Sequence, residues 1–361
     1  MSDILKNLIE INTINDKENE KIRTYIKSLL KDKSFDFQEI GEDKEKVLIA
    51  KRGNPTVAFC CHTDTVDKSV YWTKEALKLT EDKDNYYGLG VSDMKGGTAA
   101  LLEVVTTLPT DIPCMLCFTY DEEISFKGIT ELIKNNINLP DTIIFPEPTD
   151  LVPAIANKGC IEFSITFNGK SAHSSTPELG ENALYKALDF IKEVKDLATE
   201  LRKENLPLYE VPYTTFNLSK INGGGEINKV PDTCEITFDF RTITKEHNKK
   251  IIDKIAELAE KYQGKASILN NLNAAVTNKK EVIEKIEAIT NQKEVIEKIE
   301  AITNQKAIGL NYVTEASFLP DKNIIILGPG PITAHQKDER IQKESFNKCQ
   351  EIYRKIILEQ Q

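Results

Sequence analysis

The chemistry this chain can perform rests on a few histidines and a set of carboxylates at the ends of apolar runs. The stretch Val57-Ala58-Phe59-Cys60-Cys61-His62-Thr63-Asp64 opens as a continuous apolar run and stops abruptly in His-Thr-Asp. Such a run reads as a strand buried on both faces. A histidine leaving the carboxyl end of a buried strand sits where open α/β sheets place their ligands. Asp64, two residues on, is spaced to orient the His62 ring and select its tautomer, as carboxylates do behind metal-ligating histidines. Further acids follow. Asp93 lies in the glycine-rich turn 87–97, Glu122 and Glu123 close the apolar stretch 112–120, and Glu147 closes 142–145. His335 comes shortly after the apolar run 324–327. Two histidines with Asp93, Glu123 and Glu147 make a five-ligand N/O set, which with one bridging carboxylate suits two zinc ions or similar divalent metals. Glu122 is then left to take a proton from attacking water and return it to a leaving amine.

The elements that must position these residues follow from periodicity. Residues 3–31 read as two amphipathic helices, and strands are expected at 46–51, 56–62, 112–120 and 142–145, with helices at 98–107 and 127–136 between them. Strands alternating with helices at this pitch imply a mixed, mostly parallel sheet flanked by helices, an α/β domain. The glycines of 87–97 have neither the dinucleotide-binding nor the Walker spacing, so Asp93 is the informative residue there. From 158 the pattern changes: strands at 160–168, 214–221 and 233–243, with helices at 180–202 and 246–262, indicate an inserted α+β, ferredoxin-like domain. A strand at 324–327 and a helix at 345–358 return to the first domain. The expected boundaries are 1–158 and 268–361 for the catalytic domain and 159–267 for the insertion. Of the other two histidines, His173 lies in the loop 169–177, and His247 opens a charged helical stretch and reads as a solvated bystander.

Residues 280–305 are a tandem duplication, Lys-Glu-Val-Ile-Glu-Lys-Ile-Glu-Ala-Ile-Thr-Asn-Gln occurring twice. Each copy is a short amphipathic helix. A shift of thirteen residues turns a helix by about 220°, so both apolar faces cannot meet one core in a single straight helix. One copy therefore reads as the fold's own helix and the other as an insertion.

At 361 residues with 40% hydrophobic and 29% charged residues, the chain has the size of two domains and the composition of a globular protein. A formal charge of −10 argues against nucleic acid and anionic membrane surfaces as partners. No apolar run reaches the length of a membrane span and no secretory leader is visible. Seven scattered cysteines fit reduced thiols and a cytoplasmic location better than a disulfide framework. Cys114 and Cys117 have a knuckle-like spacing but fall within an apolar strand, and read as buried and inert.

The motifs His62-Thr63-Asp64-Thr65-Val66, Asp93-Met94-Lys95-Gly96, Asp121-Glu122-Glu123, Glu147-Pro148-Thr149, the loop 169–177, Asp239-Phe240-Arg241, Thr314-Glu315-Ala316 and Ala334-His335-Gln336 resemble the dinuclear-zinc aminoacylase and carboxypeptidase family nearly end to end. The resemblance implies that His62 and Glu147 hold one metal and Glu123 and His335 the other, with Asp93 bridging, and that Asp64 supports His62. It implies zinc, with cobalt as a substitute, a cis peptide at Asp93–Met94, and Glu122 as general base and acid for a bridging hydroxide that attacks an amide. It gives the inserted domain the roles of lid and dimerisation surface. His173 would be the donor to the oxyanion, often reaching a partner subunit, and Arg241 with Asn228 would receive the substrate carboxylate. The expected reaction is deacylation of an N-acyl amino acid by a homodimer, N-acetyl-L-ornithine foremost, with Glu315 meeting the side-chain ammonium. Desuccinylation or dipeptide hydrolysis is the alternative within the family, and a catalytically weak metal-binding homologue the alternative outside it.

Overall fold

The computed structural model describes residues 2–276, 297 and 299–359. It resolves into two compact units, one of Met1–Ile155, Thr277–Ile308 and Phe318–Gln361, the other of Ala156–Val276 and Gly309–Ser317. The second unit thus extends past the expected insertion at both ends and also takes in 309–317.

The first unit is built on a mixed sheet. Its strands run in the spatial order Asp36–Glu42, Glu45–Arg52, Cys114–Thr119, Val57–His62, Thr142–Phe145 and Asn323–Ile326, followed by the strand that begins at Ala154. The four strands from Cys114–Thr119 to Asn323–Ile326 are mutually parallel, and the hairpin at one edge joins them antiparallel. Every residue of the central strand beyond Val57 is buried, which is why its sequence is apolar without alternation. Phe59 and Cys61 face a core that also holds Leu5, Leu8, Ile26, Leu101, Val105, Phe346 and Tyr353 from the helices Asp3–Glu10, Asn19–Leu30, Lys95–Thr107 and Lys343–Leu358. Ser2 starts the first helix by accepting the Leu5 amide at 3.0 Å. Cys60 pairs in register with Cys117, and Cys114 and Cys117 are both buried. No helix among the described residues is long and apolar enough to cross a membrane.

Several strands of this unit went unread in the sequence. The strand Asp36–Glu42 buries only Ile40, so it carries no apolar period. A small sheet of Thr80–Glu81, Asn85–Tyr87 and Arg340–Gln342 joins segments far apart in the chain. The reading of the duplication falls mostly outside the described residues. Of it, residues 299–303 are helical, with Ile299 buried and Ile302 packed against the same core.

The second unit carries a four-stranded antiparallel sheet in the order Thr215–Gly223, Thr233–Thr242, Gly159–Asn168, Gly264–Leu272. Helices Ala183–Leu201 and Lys245–Lys261 complete a strand–helix–strand–strand–helix–strand succession, the ferredoxin-like arrangement. The alternating burial of Gly159–Asn168 and Thr233–Thr242 sends Phe163, Phe167, Phe238 and Phe240 into a core shared with Phe190, Val194, Ile251 and Leu258. Asn182 caps one helix through the Leu184 amide at 2.9 Å, and Thr244 caps the other through the His247 amide. The fourth strand, Gly264–Leu272, lies almost wholly exposed, so its side chains give no periodic signal. His247 is not solvated: only 2% exposed, it places Nδ1 2.6 Å from the Thr214 hydroxyl and Nε2 2.9 Å from the Glu204 carboxylate. It ties a helix start to neighbouring loops.

Candidate active site

Within the first unit, strand ends and turns bring six ionisable side chains together. Their donor atoms form three overlapping groups, His62–Asp93–Glu147, Asp93–Glu123–His335 and His62–Glu122–Glu123, each with all atoms within 4.8 Å of one another. Asp93 links the first two groups, His62 the first and third, and Glu123 the last two. Asp93 Oδ1 lies 2.9 Å from His62 Nε2, and its Oδ2 lies 4.0 Å from His335 Nε2. Glu147 Oε1 is 3.7 Å from the same His62 nitrogen, while Glu123 Oε2 is 3.1 Å from His335 Nε2. His62 and Glu147 come from the carboxyl ends of adjacent parallel strands, where side chains converge on one edge of the sheet.

The remaining contacts set the orientation of these candidate ligands. His62 Nδ1 faces the Asp64 backbone carbonyl at 3.2 Å and the Asp64 carboxylate at 3.5 Å, leaving Nε2 for the cluster. Asp64 Oδ2 accepts the Glu123 amide at 3.1 Å, so one carboxylate steadies a residue of each group. His335 takes a left-handed backbone conformation (φ 60°). The Asp93–Met94 peptide is cis, as the resemblance implies. Glycine is obligatory beside Glu147: a Cβ on Gly97 would lie 2.2 Å from the Pro146 carbonyl oxygen, and one on Gly328 2.4 Å from that of Glu147. Lys95 is buried and donates to the Ile11 carbonyl at 3.0 Å, and burial lowers its amine to about 7.

Charge in the cluster is strongly mismatched without a cation. Burial pushes Glu122 well above the ordinary carboxylate range, and its acidic neighbours Glu147, Glu123 and Asp93 add to this against His62. Burial and Asp93 also raise Glu123. Burial alone would lower His62, but Glu147, Asp64 and Asp93 together hold it well above its usual value. His335 is raised to about 9, chiefly by its hydrogen bond to Glu123. A concentration of carboxylates this deep is costly unless paired or coordinating a cation. The donor set of imidazole nitrogen and carboxylate oxygen fits borderline divalent ions.

The other expected site residues lie in the second unit. His173 is exposed, with Nδ1 2.8 Å from the Ser175 hydroxyl. Asn228 is exposed and its carbonyl accepts the Ser174 amide at 3.0 Å. Arg241 Nε donates to Asp239 at 3.1 Å and leaves its fork half-exposed. Glu315 is fully buried at the start of a 3-10 turn. A cavity of about 520 Å³, lined by Pro55, Val57, Leu139, Ile144, Ile325 and Ile356 among others, opens near the amino ends of the parallel strands, away from the cluster. Sequence reading missed Glu339, whose carboxylate accepts backbone amides of the Asp93 turn. Its signal was faint: an acid four residues beyond His335.

Comparison with known proteins agrees with an amide-bond hydrolase. A model of the peptidase dimerisation domain matches residues 155–267. The chain is 31% identical to an acetylornithine deacetylase of Buchnera aphidicola subsp. Acyrthosiphon pisum, covering 98% of this chain and 96% of that relative. Among solved structures, a tripeptidase from Staphylococcus aureus matches with a TM-score of 0.76 at 21% identity, covering 98% of this chain and 97% of the other. An M20 family metallo-carboxypeptidase from Sulfolobus solfataricus matches with a TM-score of 0.75 at 17% identity over the same shares. The protein is thus a hydrolase acting on amide bonds. It belongs to the M20 family of metallopeptidases and metallo-amidohydrolases.

Proposed function

We propose that the protein removes the acyl group from an N-acyl amino acid, with N-acetyl-L-ornithine as substrate, yielding ornithine for amino-acid (arginine) biosynthesis in the cytoplasm. The observation that supports a metal-dependent amide hydrolase is the single Asp93 carboxylate facing both histidines, with the buried Glu122 beside Glu123, and the choice of substrate is supported by the 31% identity to an acetylornithine deacetylase. His62 and Glu147 would hold one divalent ion, Glu123 and His335 the other, with Asp93 common to both. When bound, zinc or cobalt would supply Lewis acidity that polarises the amide carbonyl and acidifies water.

The side chains supply the rest. Glu122, whose carboxyl is raised above the ordinary carboxylate range by burial and its acidic neighbours, in its ionised form takes a proton from the attacking water and passes it to the departing amine. Asp64 keeps the His62 ring in its ligating tautomer. On the family resemblance, His173 donates to the oxyanion, which requires a preorganised donor. Arg241 grips the substrate carboxylate with its planar fork, with Asn228 nearby. Glu315 is assigned to the side-chain ammonium. The match to the dimerisation domain supports a homodimer formed through the second unit.

Similarity to a tripeptidase structure supports dipeptide or tripeptide cleavage as the second reading. The test is amine release from N-acetyl-ornithine, N-succinyl-diaminopimelate, a neutral acetyl-amino acid and a dipeptide, with zinc or cobalt added and then chelated. Metal-dependent turnover favouring N-acetyl-ornithine is expected. Preference for another substrate would move the assignment, and two bound ions without turnover of any would refute the catalytic reading.

A further inference from the structure

The turn that carries Asp93 buries Leu89, Val91 and Met94, and it must also place one carboxylate between two histidines. Its backbone is held from elsewhere. Glu339 is 2% exposed, and its two oxygens accept three successive-turn amides: Gly90 at 2.8 Å on Oε2, and Ser92 at 2.7 Å and Asp93 at 3.0 Å on Oε1. Its own carbonyl accepts the Gly88 amide at 3.3 Å. Glu339 also lies four residues past His335, and the segment between is closed on itself by the Thr333 hydroxyl, which meets both the amide and the carbonyl of Arg340. The strand Arg340–Gln342 that follows is paired with Asn85–Tyr87, just ahead of the turn. Ser92 completes the connection by donating its hydroxyl to the Pro331 carbonyl at 2.9 Å.

We infer that Glu339 is the positioning residue of the metal centre, a carboxylate that ties the turn of the shared ligand Asp93 to the loop of the terminal ligand His335 and so sets the spacing of the second ion position. The inference rests on the two-ion reading above and goes beyond it, because Glu339 itself ligates nothing. Hydrogen bonds from backbone N–H to a buried carboxylate are charge-assisted and directional. Three of them leave the turn little freedom to move Asp93 away from His335. An amide at position 339 keeps only one oxygen, so at least one backbone N–H would face an NH2 group instead of an acceptor. An aspartate keeps the charge and both oxygens but withdraws them by one methylene.

The experiment is cobalt titration of the metal-free protein, following both uptake and the visible d–d spectrum, in wild type, Glu339→Gln and Glu339→Asp. Glu339→Gln is expected to weaken cobalt binding by about 10–100-fold, the range found when partners of metal ligands are lost. Its spectrum should change in intensity, with Glu339→Asp partly restoring both. A folded Glu339→Gln protein that binds two cobalt ions with wild-type affinity and spectrum would overturn the inference. Should the glutamine variant not fold, hydrogen exchange of wild-type metal-free protein decides: slow exchange at the Gly90, Ser92 and Asp93 amides is expected, and free exchange there overturns it. A wild type that takes up two cobalt ions but hydrolyses no acyl-amino acid would sink the proposed function while leaving this result intact.

Discussion

If Asp93 serves both ion positions, replacing it must damage both, whereas replacing a ligand of one must spare the other. Two donors on a tetrahedral zinc lie about 3.3 Å apart, given bond lengths near 2.0–2.2 Å. The separations around His62 Nε2, 2.9 Å to Asp93 and 3.7 Å to Glu147, straddle that value, as do 3.1 Å and 4.0 Å from His335 Nε2 to Glu123 and Asp93. Each position thus needs only small adjustment to accept an ion, and Asp93→Asn takes the negative charge from both and puts an NH2 group, which cannot ligate, in place of one of the two oxygens. At a metal concentration 100 times its dissociation constant, each ion stabilises the fold by about 2.7 kcal/mol, so two give about 5 kcal/mol. A hundredfold loss at both positions would leave about 1 kcal/mol in total, and a loss at one alone about 3 kcal/mol. Thermal unfolding with and without cobalt, together with metal content after gel filtration, should therefore separate Asp93→Asn (both ions lost) from Glu147→Gln and His335→Ala (one lost). If Asp93→Asn retains two ions, or loses only the ion that Glu147→Gln loses, the shared-ligand reasoning is wrong.

Glu122→Gln should lower kcat by about 10²–10⁴-fold, the span of general acid–base catalysis, while metal content stays at the wild-type level; loss of an ion instead would make Glu122 a ligand. Metal uptake should depend on pH with a definite sign. In the cation-free protein His335 holds its proton up to about 9, and that proton must leave before the ring can ligate. Apparent affinity should rise with pH by up to about tenfold per unit between 7 and 9, with proton release on binding measurable in a weakly buffered titration. A flat profile would contradict the His335 assignment. Gly97→Ala should destabilise the protein by about 1–3 kcal/mol or more through overpacking against Pro146, seen as a lower denaturant midpoint; an unchanged midpoint would show that the helix start yields freely.

The sequence by itself determined the parallel part of the sheet and the places where chemistry gathers. An unbroken apolar run ending in a polar residue has one comfortable home, a doubly covered strand whose end faces a ligand-binding edge. His62, Glu122, Glu123 and Glu147 were therefore legible from local pattern, as were the alternating strands and capped helices of the second unit. The edge elements were not. Asp36–Glu42 and Gly264–Leu272 are mostly exposed, and an exposed strand is stabilised by its backbone partners without imprinting a period on its side chains. His247 was misread for a related reason, since a polar residue in a charged segment shows its burial only once its partners Thr214 and Glu204 are known.

Only the tertiary structure decided how the cluster is assembled. That Asp93 faces both histidines depends on a turn held by Glu339, 246 residues further along the chain. Hydrogen bonds between a carboxylate and backbone amides leave no mark on the identities of the residues that donate them, because every residue except proline offers the same N–H. Side-chain pattern announces the candidate ligands. The three-dimensional fold alone shows what holds them at working distance.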